Sequence, residues 1–222
     1  MMIKKYLNTK RNPPRGRDWR FWDSSEKYGK SSFWKEHNKC YGGQRPGNVG
    51  HYVDKIKALE IVAKELPPNA RILEIGFHCG NSAYILLDNA ELISQFISID
   101  HGSDGHLSHV EKAAANFVQS FKNFKFIRGD SKTCLEKLIS EKCEKFDLIH
   151  VDGGHEYFAA YNDMLLSDKL LRPGGILVLD DIDVPNVQRS YQEILLDNSS
   201  YEYIGRALGG WNSLFLVKKN EK

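Results

Sequence analysis

The stretch RILEIGFHCGNSAYILLDNAELISQFISID, residues 71–100, decides the fold. RILEIG is a short apolar run of strand type closed by Gly76, Asn81 to Asn89 reads as a helix, and QFISID is a second apolar strand ending in Asp100. That is a βαβ unit, and the alternation runs on in both directions. Upstream, HYVDKIKALEIVAKEL sets Val53, Ile56, Leu59, Ile61, Val62 and Leu66 broadly on one helical face until Pro67-Pro68 stops it. Downstream, HVEKAAANFVQSF is a helix, FKFIRGD a strand, SKTCLEKLISEK a helix, FDLIHVDGG a strand and EYFAAYNDMLLSDKLL a longer helix. RPGG reads as a turn into the strand ILVLDD, and VPNVQRSYQEILLD returns to helix. Such alternation predicts an α/β protein with a mostly parallel sheet covered on both faces. YEYIGRALGGWNSLFLVKK breaks the rule: two strand-like runs flank Gly209-Gly210 with no room for a crossover, so they pair antiparallel. The expected sheet has seven strands and an antiparallel C-terminal one.

The 222 residues fit one generous domain, or a domain with an extension, and a hydrophobic fraction of 41% suffices for a substantial core. No apolar run approaches the ~20 residues of a membrane helix, which excludes a helical span. Basic and acidic side chains number 31 and 29, and a net charge of +2 argues against coating nucleic acid by bulk electrostatics. Residues 1–50 differ in texture: rich in Arg, Lys, Gly, Trp and Tyr, aperiodic, and punctuated by Pro13-Pro14, Gly42-Gly43 and Pro46-Gly47. They read as an irregular basic and aromatic N-terminal extension, a lid or docking segment, ahead of a domain at 51–222. No apolar stretch follows the basic start, so no secretory signal is read. Cys40, Cys79, Cys134 and Cys143 form no CxxC pair, which suits reduced thiols in a cytoplasmic protein rather than zinc or a disulfide scaffold.

Ligands of open α/β sheets gather at the carboxyl ends of the strands. Here the ends carry Glu74 and Gly76, then Asp100, Asp130, Asp152, and finally Asp180 and Asp181. Singly, each aspartate suits a strand-ending turn or a helix cap; as a set they suit a site. In the loop EIGFHCGNS, Gly76 and Gly80 permit a tight turn and close ligand approach, but the central glycine of GxGxxG is missing. Asp100 stands 24 residues beyond Gly76, where a carboxylate accepts from both ribose hydroxyls, and Asp130 ends the third strand, placed for an adenine amino group.

Loop, ribose acid and base-reading acid in this order resemble the class I S-adenosylmethionine (SAM)-dependent methyltransferases, over roughly residues 70–218. The resemblance implies a Rossmann-like methyltransferase fold. It assigns Glu74, Gly76 and Gly80 to the methionine portion of SAM, Asp100 to ribose, and Asp130 with Ser131 to adenine, Ser82 contributing as well.

The string HVDGGHEY, His150 to Tyr157, followed by LRPGGILVLDDI, resembles the macrocin-type sugar O-methyltransferases, whose hallmark reads DGxHxY…D…LxPGGxxxxDD. Asp152, Gly153, His155, Tyr157, Asp163, Leu171, Pro173, Gly174, Gly175, Asp180 and Asp181 all match it. The implied reaction is methyl transfer from SAM to a hydroxyl of a sugar in a glycoside, glycan or glycosylated metabolite. An alcohol is a poor nucleophile, and a divalent cation lowers the pKa of a bound hydroxyl. Mg²⁺ takes carboxylate oxygens, so Asp152, Asp180 and Asp181 are its candidate ligands, Asp152 thereby joining the catalytic set. Consecutive strand residues face opposite ways, so Asp180 and Asp181 converge only where strand gives way to loop; alternatively one of them caps the helix near Pro185. His155 is the candidate general base, with an ordinary pKa near 6.5 and a place three residues beyond Asp152. The alternative for it is a histidine satisfying backbone at a helix start.

Trp19, Phe21, Trp22, Phe33 and Trp34 suit an aromatic cover over the ligands, and equally a packing layer between extension and core. Three other functions compete: an O-methyltransferase of catechol-like phenols, an RNA methyltransferase using the basic N-terminus, and a non-catalytic SAM-binding protein. Asn12-Pro13-Pro14 resembles an amino-group methyltransferase motif, but Arg15 follows it and no strand precedes it. The partner expected is a small-molecule or glycan acceptor rather than nucleic acid, and a homo-oligomer is compatible with the sequence.

Overall fold

Side chains alternate across a strand, so a strand buried on both faces feeds two cores. In the computed structural model, which describes residues 1–8, 31–32, 52–102, 107–197, 200–209 and 211–220, this is realised in one seven-stranded sheet. Its strands are β1 (Ala70–Ile75), β2 (Ile93–Asp100), β3 (Phe124–Arg128), β4 (Phe146–Val151), β5 (Leu171–Leu179), β6 (Tyr201–Ala207) and β7 (Ser213–Lys218). They lie in the order β3-β2-β1-β4-β5-β7-β6, parallel from β3 to β5, with β7 antiparallel to both of its neighbours. This is the expected Rossmann-like sheet with its reversed C-terminal strand.

The helices are α1 (Met2–Asn8), α2 (Val53–Glu65), α3 (Asn81–Asn89), α4 (Leu107–Ser120), α5 (Ser131–Ser140), α6 (Tyr157–Leu170) and α7 (Pro185–Asp197). Ile72, Phe96, Leu148, Val178 and Phe215 meet α1 to α4 on one face. Their chain neighbours Leu73, Ile97, Ile149, Leu177 and Leu216 meet α5 to α7 on the other. Each such fully buried side chain contributes about 1.5–3 kcal/mol relative to exposure, so the sheet is a rigid platform for whatever its carboxyl edge carries. The strand order reverses between β1 and β4, which puts the ligand crevice above those two strands.

Two local expectations are corrected. Residues 2–8 form α1 rather than irregular backbone. Seven residues are too few for a readable period, and the helix is held by packing: Ile3 and Leu7 are buried, and Leu7 lies against Gly205 of β6. RPGG is not a turn ahead of β5 but a bulge within it. Leu171 pairs with Phe146 and pairing resumes at Leu148 with Ile176, while Arg172 reaches across to Asp147 at 2.5 Å. The other N-terminal residues singled out from the sequence, Cys40 among them, lie outside the described residues.

Candidate active site

The β1–α3 loop turns at Gly76, whose φ of +90° is costly for any residue with a side chain. A Cβ there would overlap the carbonyl oxygen of Asp152, so the ends of β1 and β4 approach as closely as backbones can. The Asp100 carboxylate spans this loop: Oδ2 accepts from the N–H groups of Phe77 at 2.9 Å and His78 at 2.8 Å, and Oδ1 accepts from Gly102 at 2.7 Å. A cleft of about 300 Å³ opens beside it, lined among others by Gly76, Asp100, Asp130, Ser131 and Asp152. His78 and His101 also line it.

Not every cofactor candidate reaches that cleft. Glu74 is fully buried and accepts from Ser82 Oγ at 2.6 Å and Ser98 Oγ at 2.7 Å. Glu74 and Ser82 form an internal clasp between β1, α3 and β2, outside the cleft lining. Gly80 is outside it too; it turns into α3 at φ +72°, where a Cβ would collide with Phe117 and Phe77. Asp130 does line the cleft and also caps α5, accepting from the Thr133 N–H and hydroxyl at 2.9 Å each. Those two donors hold its carboxyl below the usual range.

At the carboxyl end of β5 the chain does break as expected: the strand stops at Leu179, and Asp181 adopts φ +54°, a conformation aspartate tolerates better than most residues. The break brings both carboxylates to one side. Asp181 Oδ2 lies 3.0 Å from His155 Nε2, and Asp181 Oδ1 lies 3.4 Å from the ammonium of Lys55. Asp180 Oδ1 takes the same ammonium at 2.5 Å and the Ser213 hydroxyl at 2.5 Å. The result is a continuous chain, His155–Asp181–Lys55–Asp180–Ser213.

Charge follows the contacts. The hydrogen bond that Asp181 accepts from the ring raises the pKa of His155 against the opposing effect of burial. Burial alone would lower the pKa of Lys55, but the charges of Asp180 and Asp181 outweigh it and hold the ammonium above its ordinary value. Burial works against ionising Asp180, and Lys55 overcomes it, with His150 helping. Asp152 is not compensated in this way. Burial first, then the charges of Asp180 and Asp181, push its carboxyl well above the usual range, and Lys55 offsets only part of the effect.

Asp152, Asp180 and Asp181 do not fit a divalent cation as a set. Both oxygens of Asp181 and Oδ1 of Asp180 are engaged, and the cation between them is Lys55. Among the described residues, His150, Asp152 and Asp180 offer ligand atoms within 4.8 Å of one another, but Asp180 brings the Lys55 ammonium with it.

Residues 73–182 match the family model of a methyltransferase domain. That stretch, just under half of the chain, is similar to such a domain. The chain is similar to the O-methyltransferase hkm8 of Aspergillus hancockii, with 31% identity over 116 residues. That match takes in 50% of this chain and 42% of the relative, so the chain spans less than half the length of the curated protein it matches. Among solved structures, the O-methyltransferase of Bacillus cereus in complex with SAH superposes with a TM-score of 0.70 at 20% identity, covering 86% of this chain and 92% of that one. The O-methyltransferase TomG of Streptomyces achromogenes, involved in tomaymycin synthesis and in complex with SAM, superposes at 0.69 and 18% identity, covering 86% and 91%. Both likenesses show the fold.

Sequence reasoning about this site missed Lys55, Ser213 and Trp211. A signal for Lys55 existed: with Leu59 and Val62 it stands at i, i+4 and i+7, a lysine on the apolar stripe of α2, and it is 3% exposed. Trp211, half exposed, stands edge-on to His155 with ring centroids 5.6 Å apart. Asp163 was part of the motif without a role. It is fully buried under Gly153, where a Cβ would come 2.6 Å from Asp163 Oδ2.

Proposed function

We propose that this protein transfers the methyl group of SAM to a hydroxyl of a small acceptor, with His155 as the general base. The observation that carries the reading is the His155–Asp181 pair at 3.0 Å, one residue beyond Gly154 of the cleft wall. Bound SAM would supply an electrophilic methyl on its sulfonium. Asp100, Asp130 and Ser131 would take its ribose and adenine ends in the cleft, with Gly76 against the methionine portion. Glu74, Ser82 and Gly80 support the loop from behind. Asp181 accepts the Nε2 proton of His155, which leaves Nδ1 to take the proton of the acceptor hydroxyl. Asp152, Gly153 and Gly154 line both the cleft and a smaller pocket that includes His155, so Asp152 marks the meeting of the cofactor and acceptor halves. The divalent cation implied by the sequence motif enters no step of this mechanism.

A sugar ring is the acceptor class favoured. Its support is the DGGHEY string together with Trp211, whose half-exposed ring beside His155 suits ring CH groups. Residues 1–50 act as a lid or docking segment in this reading. α1 ends beside the first turn of α2, where the Tyr6 hydroxyl donates to Asp54 at 2.6 Å, and Tyr52 lies against Gly209. A cytoplasmic setting goes with the reading, and Cys134 and Cys143 are free thiols.

The test is transfer of labelled methyl from SAM to a panel of glycosides, a catechol and RNA. Labelled glycoside from the native protein and none from His155→Ala, with SAH binding intact in both, is the expected result. Labelled catechol or RNA alone would overturn the acceptor class; transfer of label to none of the three would overturn the reaction.

A further inference from the structure

A lysine in the interior needs a reason, because an unpartnered buried ammonium is costly and deprotonates. Lys55 has two partners, both consecutive carboxylates at the carboxyl end of β5, with Nζ 2.5 Å from Asp180 Oδ1 and 3.4 Å from Asp181 Oδ1. It comes from the first turn of α2, which precedes the sheet in the chain, and the contact spans 125 residues of sequence. Such a pair is retained through burial of its stem as well as its charge: Lys55 is 3% exposed, and its ammonium lies over the Tyr52 ring at 5.4 Å.

Three of the four carboxylate oxygens of the two aspartates are accounted for. Asp180 Oδ1 holds Lys55 and Ser213, Asp181 Oδ1 faces Lys55, and Asp181 Oδ2 faces His155. A divalent ion bridging the two aspartates would have to occupy the place of Nζ or drive a buried lysine out. Mg²⁺ also requires near-octahedral space and keeps several waters, for which an ammonium at 2.5 Å from one prospective ligand leaves no room on that side.

We infer that Lys55 is the resident cation of this site: its ammonium takes the place between Asp180 and Asp181 that a divalent ion would fill, and it fixes Asp181 as the partner of His155. The inference rests on the proposed site but not on its acceptor. Lys55 is accordingly a positioning residue, acting on the base through Asp181. Methyl transfer then proceeds without an added divalent ion, and removing the ammonium converts the cluster of Asp152, Asp180 and Asp181 into a divalent-cation site.

Mn²⁺ is the probe, its binding to the full chain followed by electron paramagnetic resonance, with SAH affinity as the check on folding. The wild-type protein and Lys55→Arg are expected to leave millimolar Mn²⁺ free. Lys55→Ala should bind it at least tenfold more tightly than wild type, and Asp180→Asn in that background should abolish the gain. EDTA should leave wild-type methyl transfer unchanged. Tight Mn²⁺ binding by the wild type, or EDTA-sensitive transfer, would overturn the inference, as would a folded Lys55→Ala that gains no Mn²⁺. Should Lys55→Ala lose SAH binding through misfolding, Lys55→Met repeats the measurement with the stem retained, and the wild-type arms decide by themselves. Absence of transfer to every acceptor would count against the proposed reaction and leave the Mn²⁺ result standing.

Discussion

His155 Nε2 and Asp181 Oδ2 are 3.0 Å apart, joined across the gap between the β4 and β5 loops. The carboxylate favours the imidazolium form, so the pKa of His155 lies above 6.5. A general base must be neutral to act, and activity therefore rises with pH through that raised value. In Asp181→Asn the raising partner is gone; the rising limb of kcat/KM should move to lower pH while the plateau falls about 10–100-fold, since the ring also loses its orientation. A pH–rate profile of both proteins checks this. An unmoved limb would remove His155 from the base role.

Asp100 accepts three backbone N–H groups from two segments of the cleft, Phe77 with His78 and Gly102. Hydrogen bonds to a charged group are worth roughly 1.5–3 kcal/mol each in net terms. Asp100→Ala should lower SAH affinity on the order of 100-fold, because it loosens the loop and removes the proposed ribose acceptor together. Calorimetric titration measures it, and a change under threefold would show that the cleft does not hold the nucleoside.

What was legible beforehand followed from local pattern. The strand–helix alternation is a matter of neighbouring residues, so β1 to β7 and the carboxylates at their ends could be placed from their own chemistry. The break after Leu179 that gathers Asp180 and Asp181 was legible for the same reason, as it follows from the two-residue period of a strand. Lys55 was not, because burial of a lysine depends on partners 125 residues away. The same blindness to distant partners turned Glu74 and Ser82 into cleft candidates: the sequence shows their nearness to the glycine loop but not that Ser98 closes the clasp from β2. The bulge at Arg172 to Gly175 belongs to this class too, since Asp147 of the next strand stabilises it.

Gly76 carries both a positive φ and a backbone contact, so replacing it tests the closeness of β1 and β4. Gly76→Ala must shift either the loop or Asp152, an overpacking that costs about 1–3 kcal/mol with the φ strain added. Urea unfolding should show that loss, and SAH binding should fall with it. Gly154→Ala is the control, since a Cβ there meets only Ala159 at 3.3 Å.

Asp163 supplies a prediction about stability rather than turnover. Burial raises its carboxyl to about 6 in the folded protein from 3.8, against the opposing influence of Ser131. A group with a raised folded pKa contributes stability that is present below the unfolded value and lost as pH rises through the folded one. The wild-type protein should therefore lose about 3 kcal/mol between roughly pH 4 and pH 7 through this residue alone. The amide introduced by Asp163→Asn cannot ionise, so its own cost or gain is the same at both ends of that range. The difference between Asp163→Asn and wild type should move in favour of the variant as pH rises, most steeply around pH 5, between the two pKa values. Urea unfolding at pH 5 and pH 8 reads about half of it. A difference that stays constant between those two values would mean that burial does not hold the Asp163 carboxyl above its usual range.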